Sequence, residues 1–150
     1  MHNIFYDSNR EIIWSTTANV TTEIINAQAT GGKSHVALEL TNDPNPSTHY
    51  VNSDATGLTQ KSVFDVTFSS LTPAIDEVVT VTGAPSGTEV ILDGVSKGTM
   101  DDTSLTFTMQ EGGTYIVQLQ KQYYQTHQVI LKVKRSVSYT HLTLPTNREV

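Results

Sequence analysis

Gly113-Thr114-Tyr115-Ile116-Val117-Gln118-Leu119-Gln120 is the stretch on which the fold turns. Tyr115, Val117 and Leu119 fall on one face, with Thr114, Ile116, Gln118 and Gln120 on the other, the two-residue period of a half-buried strand. Upstream, Leu105, Phe107 and Met109 alternate with Ser104, Thr106 and Thr108. Downstream, Val129, Leu131 and Val133 alternate with Gln128, Ile130 and Lys132. Further out, Phe64, Val66 and Phe68 share a face against Asp65 and Thr67. Val79 and Val81 follow Thr72-Pro73-Ala74, and Val90 and Leu92 follow Pro85-Ser86-Gly87. Six such segments, separated by turn chemistry, predict an antiparallel β-sandwich with one face of each sheet buried and the other in water.

Residues 1–62 read as a smaller β-rich segment ahead of the sandwich at 63–135. Ile4-Phe5-Tyr6 and Ile12-Ile13-Trp14 flank the turn cluster Asp7-Ser8-Asn9-Arg10, a hairpin signal. Thr22–Ala29 allow a short helix. Val36, Leu38 and Leu40 alternate as a strand, Thr41-Asn42-Asp43-Pro44-Asn45-Pro46 makes a loop, Thr48–Val51 a short strand and Asn52–Gly57 a turn. The last stretch, Ser136–Val150, resembles translated sequencing-adapter read-through of the kind that ends reading frames assembled from environmental DNA. It is set aside as a non-native tail, the alternative being an ordinary C-terminal strand containing Thr140, Leu142, Thr143 and Leu144. On that reading the source is an uncultured microbe or virus, and the native C-terminus differs beyond Arg135.

Composition agrees with an all-β chain. Of 150 residues 23 are Thr and only 16% are charged, which leans toward strands rather than long helices. The net charge of −6 and the lack of any Lys/Arg cluster argue against a nucleic-acid partner. With no cysteine, disulfide scaffolds, Cys–zinc sites and thiol nucleophiles are excluded. The start lacks the cationic and apolar regions of a signal peptide, and no apolar run approaches the ~18 residues of a membrane span. A soluble chain with no membrane partner is expected. Asn19-Val20-Thr21 matches a glycosylation sequon and is read as chance without a secretory signal.

Val79–Thr99, with its Pro85-Ser86-Gly87 turn, the strand ending in Asp93-Gly94, and Gly98-Thr99, resembles the opening of a PEGA-type domain. Gly113-Thr114-Tyr115 and Tyr123-Tyr124 are similar to its later Gly-x-Tyr and Gly-Tyr positions. The resemblance covers about 78–133. It departs at Thr99-Met100, where the family has Thr-Pro, and at Tyr123, where it has Gly. It implies a small PEGA-like or immunoglobulin-like sandwich. Gly87 and Gly94 sit where tight turns require positive φ, and Asp93-Gly94 is a hairpin signal. By layout alone, the whole chain is similar to small tail-associated proteins of tailed bacteriophages.

Few residues suggest chemistry. Thr30-Gly31-Gly32-Lys33-Ser34 has Ala27 where a phosphate loop needs its first glycine, and an alternating strand follows it, so it reads as a glycine turn. His2, His35, His49, His127 and His141 show no metal-ligand spacing, and no metal or other cofactor is expected. His49 and His127 read as exposed sheet residues. Asp76-Glu77 and Asp101-Asp102 lack the spaced oxygens of a calcium loop and read as solvated turn charge. No nucleophile elbow is present, so no catalytic residue is named and the chain reads as a non-enzyme. Trp14, Tyr50, Tyr123 and Tyr124 are the candidate binding residues. If Tyr123 and Tyr124 continue a strand they point to opposite faces.

These readings lead to a structural or assembly protein of a tailed phage particle. It would be tail-associated, located in the virion after assembly in the host cytoplasm, and would act through contacts with other virion proteins or with itself. The alternative is a polysaccharide- or cell-surface-binding sandwich module, with a glycan as ligand.

Overall fold

The computed structural model describes residues 1–135; the tail 136–150, read above as adapter-derived, lies outside the described residues. In chain order the elements are β1 His2–Tyr6, β2 Ile12–Thr16, α1 Thr22–Thr30, β3 Ser34–Leu38, β4 His49–Val51, β5 Leu58–Gln60 and β6 Thr67–Phe68. There follow β7 Val79–Thr82, β8 Glu89–Leu92, β9 Val95–Thr99, β10 Ser104–Phe107, β11 Gly113–Gln120 and β12 His127–Val133. Every pairing between these strands is antiparallel. The described residues are therefore all-β with one short helix. The chain divides into two compact units, one of residues 1–63 with 121–126, the other of 64–120 with 127 onward. The segment 121–126, which sequence reading assigned to the sandwich, thus belongs to the first unit.

In the first unit β2-β1-β3 form one sheet and β4-β5 another. The β1–β2 turn closes because Asp7 Oδ1 accepts from the N–H groups of Asn9 at 2.8 Å and Glu11 at 2.9 Å. That turn leaves Arg10 in the left-handed region at φ 68°. Ile4, Ile12, Leu38 and Val51 form the core. On the other face of β1 the fully buried Phe5 stacks on Trp14 at 4.2 Å. The helix α1 buries no residue, so its ends carry it. Thr21, the threonine of the chance sequon, caps it by accepting from Ile24 N–H at 3.4 Å. At the other end Lys33 N–H donates to Gln28 at 2.9 Å and Gly32 N–H to Ala29 at 3.0 Å, with Gly32 at φ 81°. This is the left-handed glycine stop of a helix. The glycine run therefore follows a helix C-terminus, the end whose dipole repels phosphate.

In the second unit the sheets are β10-β7-β6 and β12-β11-β8-β9. Their inner faces meet in a core of Met109, Val117, Leu131 and Val133, packed by Phe68 and Phe107 from one sheet and Val90 and Leu92 from the other. The β8–β9 hairpin turns on Asp93 at φ 47° and Gly94 at φ 82°, the paired positive angles of a two-residue loop. Asp93 Oδ1 also accepts from Ile116 N–H at 2.7 Å, tying this turn to β11.

Several strand expectations change. The strand expected over 63–68 is reduced to Thr67–Phe68, because the ladder with β7 holds only at Thr67↔Thr82 and Phe68↔Val81. Beyond this the ladder stops, although Asp65 still runs close against Gly83, at φ 94°, and Phe64 remains buried. Leu40 lies beyond the end of β3. The strands β5 and β9 are additional; all five residues of β9 are exposed, so it shows no apolar alternation.

Gly83 is the tightest of these positions. A Cβ there would run into the Asp65 carbonyl oxygen, at a φ that side chains rarely adopt. Gly83→Ala is expected to cost about 2 kcal/mol or more in urea denaturation, with the far-ultraviolet spectrum of the folded protein retained.

Candidate functional site

Of the four aromatic candidates, the structure brings two together. In the first unit the rings of Tyr50 and Tyr123 stack at 4.3 Å and 26°. The Arg10 guanidinium carbon lies 5.3 Å from the Tyr50 ring centre and 4.9 Å from that of Tyr123. Arg10 Nη2 also donates to the Tyr123 hydroxyl at 3.1 Å. Beside them Lys61 Nζ meets Glu11 Oε2 at 2.7 Å, with both side chains largely buried.

Local backbone explains how Tyr123 reaches this cluster. Tyr123 and Tyr124 do not continue β11. They sit in its turn to β12, with Tyr123 at φ 67°, so strand alternation does not apply to them. Ser62 N–H donates to the Tyr123 carbonyl at 2.9 Å and Gln125 N–H to the Ser62 carbonyl at 2.8 Å, which stitches the turn to residue 62. Tyr124 is half-buried on the same turn. Trp14 stands apart, stacked on Phe5, its indole N–H donating to Gln28 Oε1 at 3.3 Å. Tyr50, Tyr123 and Trp14 thus spend ring faces on neighbours within the unit. A sugar platform needs an open face. Arg10 is the residue that sequence reading left in a turn, since nothing local signals a partner 113 positions away.

The polar candidates are structural in their contacts. His2 Nε2 meets Asp43 Oδ1 at 2.9 Å, His35 Nε2 meets Asn3 Oδ1 at 2.9 Å, and His49 Nδ1 meets the Thr48 hydroxyl at 2.8 Å. His49 and His127 are half-buried rather than exposed, His127 lying tilted against Phe64. Glu77 Oε1 accepts from Ala74 N–H at 3.1 Å, and Asp102 Oδ1 from Thr103 N–H at 2.7 Å. Among the described residues no group of three or more His, Asp or Glu side chains could hold a metal.

The second unit offers a different feature. Among the described residues strands β9 and β10 each end a sheet, and they follow one another in the chain. Between them lies a cavity of about 340 Å³ with walls of Val90, Leu92, Val117, Leu105, Phe107 and Met109. Leu105 and Phe107 point inward yet are only half-buried.

The fold and these sites define a small, all-β, two-unit chain whose second unit is a sandwich. Residues 77–148 match the PEGA domain family, so this part of the chain is PEGA-like. The match runs through 148 and so includes most of the tail that sequence reading set aside. No curated protein and no solved structure matches the chain. Among the described residues no helix is long and apolar enough to cross a membrane.

Truncating Tyr123 removes a stacked ring, a cation–π contact and a hydrogen bond at once. Tyr123→Ala is expected to cost about 1–3 kcal/mol in denaturant unfolding, and Tyr123→Phe about 1 kcal/mol. Equal stability of Tyr123→Ala and the parent would show that the cluster contributes nothing.

Proposed function

We propose that this chain is a non-enzymatic structural or assembly protein of a tailed phage particle, tail-associated, acting through subunit contacts. One observation carries the reading: the edge of β10. Thr103-Ser104-Leu105-Thr106-Phe107-Thr108 contains no charge, proline or glycine, and among the described residues β10 pairs on one side only, with β7. Protein edges are usually blunted by lysine, proline, bulges or a covering segment. Other parts of this unit follow that rule. The β9 edge has Lys97 and a Gly98 at φ 104°. Beside β12, Lys132 and Lys134 N–H groups donate to the Leu71 and Pro73 carbonyls at 2.9 and 2.8 Å. An unblunted Thr-rich edge is a template for adding a strand from another subunit. The phage assignment itself rests on the likeness of layout, and fits a Thr-rich chain without cysteine.

The PEGA match favours a second reading, a polysaccharide- or cell-surface-binding module. Such a module stays monomeric and loses a glycan when Tyr123, Tyr124 or Trp14 is replaced by Ala.

Light scattering on a size-exclusion column separates the two. The full chain is expected to form a concentration-dependent species of fixed stoichiometry. The double variant Ser104→Lys/Thr106→Lys is expected to be a monomer of nearly unchanged thermal stability, since both positions are exposed. A parent that stays monomeric at the highest concentration contradicts the subunit-contact reading.

A further inference from the structure

The cavity between β9 and β10 is a cleft open to solvent, lined mainly by apolar side chains of the two sheets. Here about 340 Å³ is open between two sheets. It lies within the ~300–1,000 Å³ of small-molecule sites, so its size alone does not choose the occupant. Three features do. The mouth is bordered by β10, whose outward backbone groups have no strand partner among the described residues, and a polypeptide can satisfy N–H and C=O groups that an aliphatic chain cannot. Leu105 and Phe107, two residues apart, present apolar side chains at the spacing an added strand presents in return. Lys97, on the opposite rim, lines the same cavity and has no ion-pair or hydrogen-bond partner among the described residues. It is a cation at the mouth of a largely apolar slot, whose other polar lining is Thr99 and Thr108.

We propose that this slot accepts an extended segment of a neighbouring subunit, which pairs along β10, fills the cavity with apolar side chains at alternate positions, and sets a carboxylate beside Lys97. The proposal rests on the subunit-contact reading and names the chemistry of the partner at that same edge. β9 is not the pairing strand, because Gly98 at φ 104° interrupts its extended edge. The β9–β10 connection is pinned to the neighbouring turn, with Met100 N–H donating to Thr88 at 2.8 Å and Gly87 N–H to Met100 at 2.7 Å. The slot is therefore bounded at that end.

The test uses the full chain and a fluorescein-labelled peptide, Thr-Val-Thr-Val-Glu-Val-Thr, followed by anisotropy. Saturable binding is expected, weakened about fivefold when Lys replaces the peptide's Glu, an exposed-pair effect. Lys97→Glu, on a fully exposed strand, is expected to reverse that order. Leu105→Trp, which fills the slot, is expected to weaken binding tenfold or more. Should Leu105→Trp fail to fold by thermal melt, the reversal by Lys97→Glu still decides. Binding that ignores both variants, or no saturable peptide binding, overturns the proposal. Saturable uptake of decanoate in place of the peptide overturns it in favour of a small apolar ligand. Self-association that is lost in Ser104→Lys/Thr106→Lys but untouched by Leu105→Trp and Lys97→Glu keeps the edge contact and removes the filled slot.

Discussion

The pairing of β11 with β12 is the constraint on which the rest depends. Seven residue pairs run in unbroken register from Gly113↔Val133 to Leu119↔His127. They bring Val117, Leu119, Leu131 and Val133 to the buried side, and β8 adds to β11 through Leu92↔Val117 and Val90↔Leu119. The same hairpin fixes where 121–126 leaves and returns, and that segment belongs to the first unit. One hairpin therefore supplies the centre of one core, and its turn supplies Tyr123 to the other unit. The first unit lacks Tyr123 until the chain is made past residue 120. Its Arg10–Tyr123 contact closes a very long loop, which slows folding more than it weakens the folded state.

Legibility in the sequence followed burial. Gly113–Gln120 and His127–Val133 alternate because one face of each meets the sandwich interior, and that periodicity was readable residue by residue. The hairpins at Asp7–Arg10 and Asp93-Gly94 were readable because turn geometry demands particular residues. The strand β9 was not: it is held by hydrogen bonds to β8 and buries nothing, so its sequence carries no period. The stretch 63–66 misled for the converse reason. Phe64 is buried without being in a strand, so an apolar face existed without a ladder.

The candidate site was less legible than the fold. Tyr50 and Tyr123 were named as aromatic side chains, but their stacking and the overlying Arg10 arise from contacts across most of the chain. No local pattern encodes that. Trp14 was named for the same reason and stacks on a buried Phe5. The β10 edge was visible as Leu105, Phe107 and Met109 against Ser and Thr. What sequence does not reveal is that β10 ends its sheet and borders an unfilled cavity, because strand order is a property of pairing rather than of composition.

The central claim is that β10 is an edge kept open for a neighbouring strand. Hydrogen exchange at residues 103–108, followed by mass spectrometry across a range of protein concentrations, tests it most directly. The account predicts fast exchange at low concentration and slowed exchange in this segment as association proceeds, with β11 slow throughout. Association that leaves 103–108 exchanging at the same rate would contradict it.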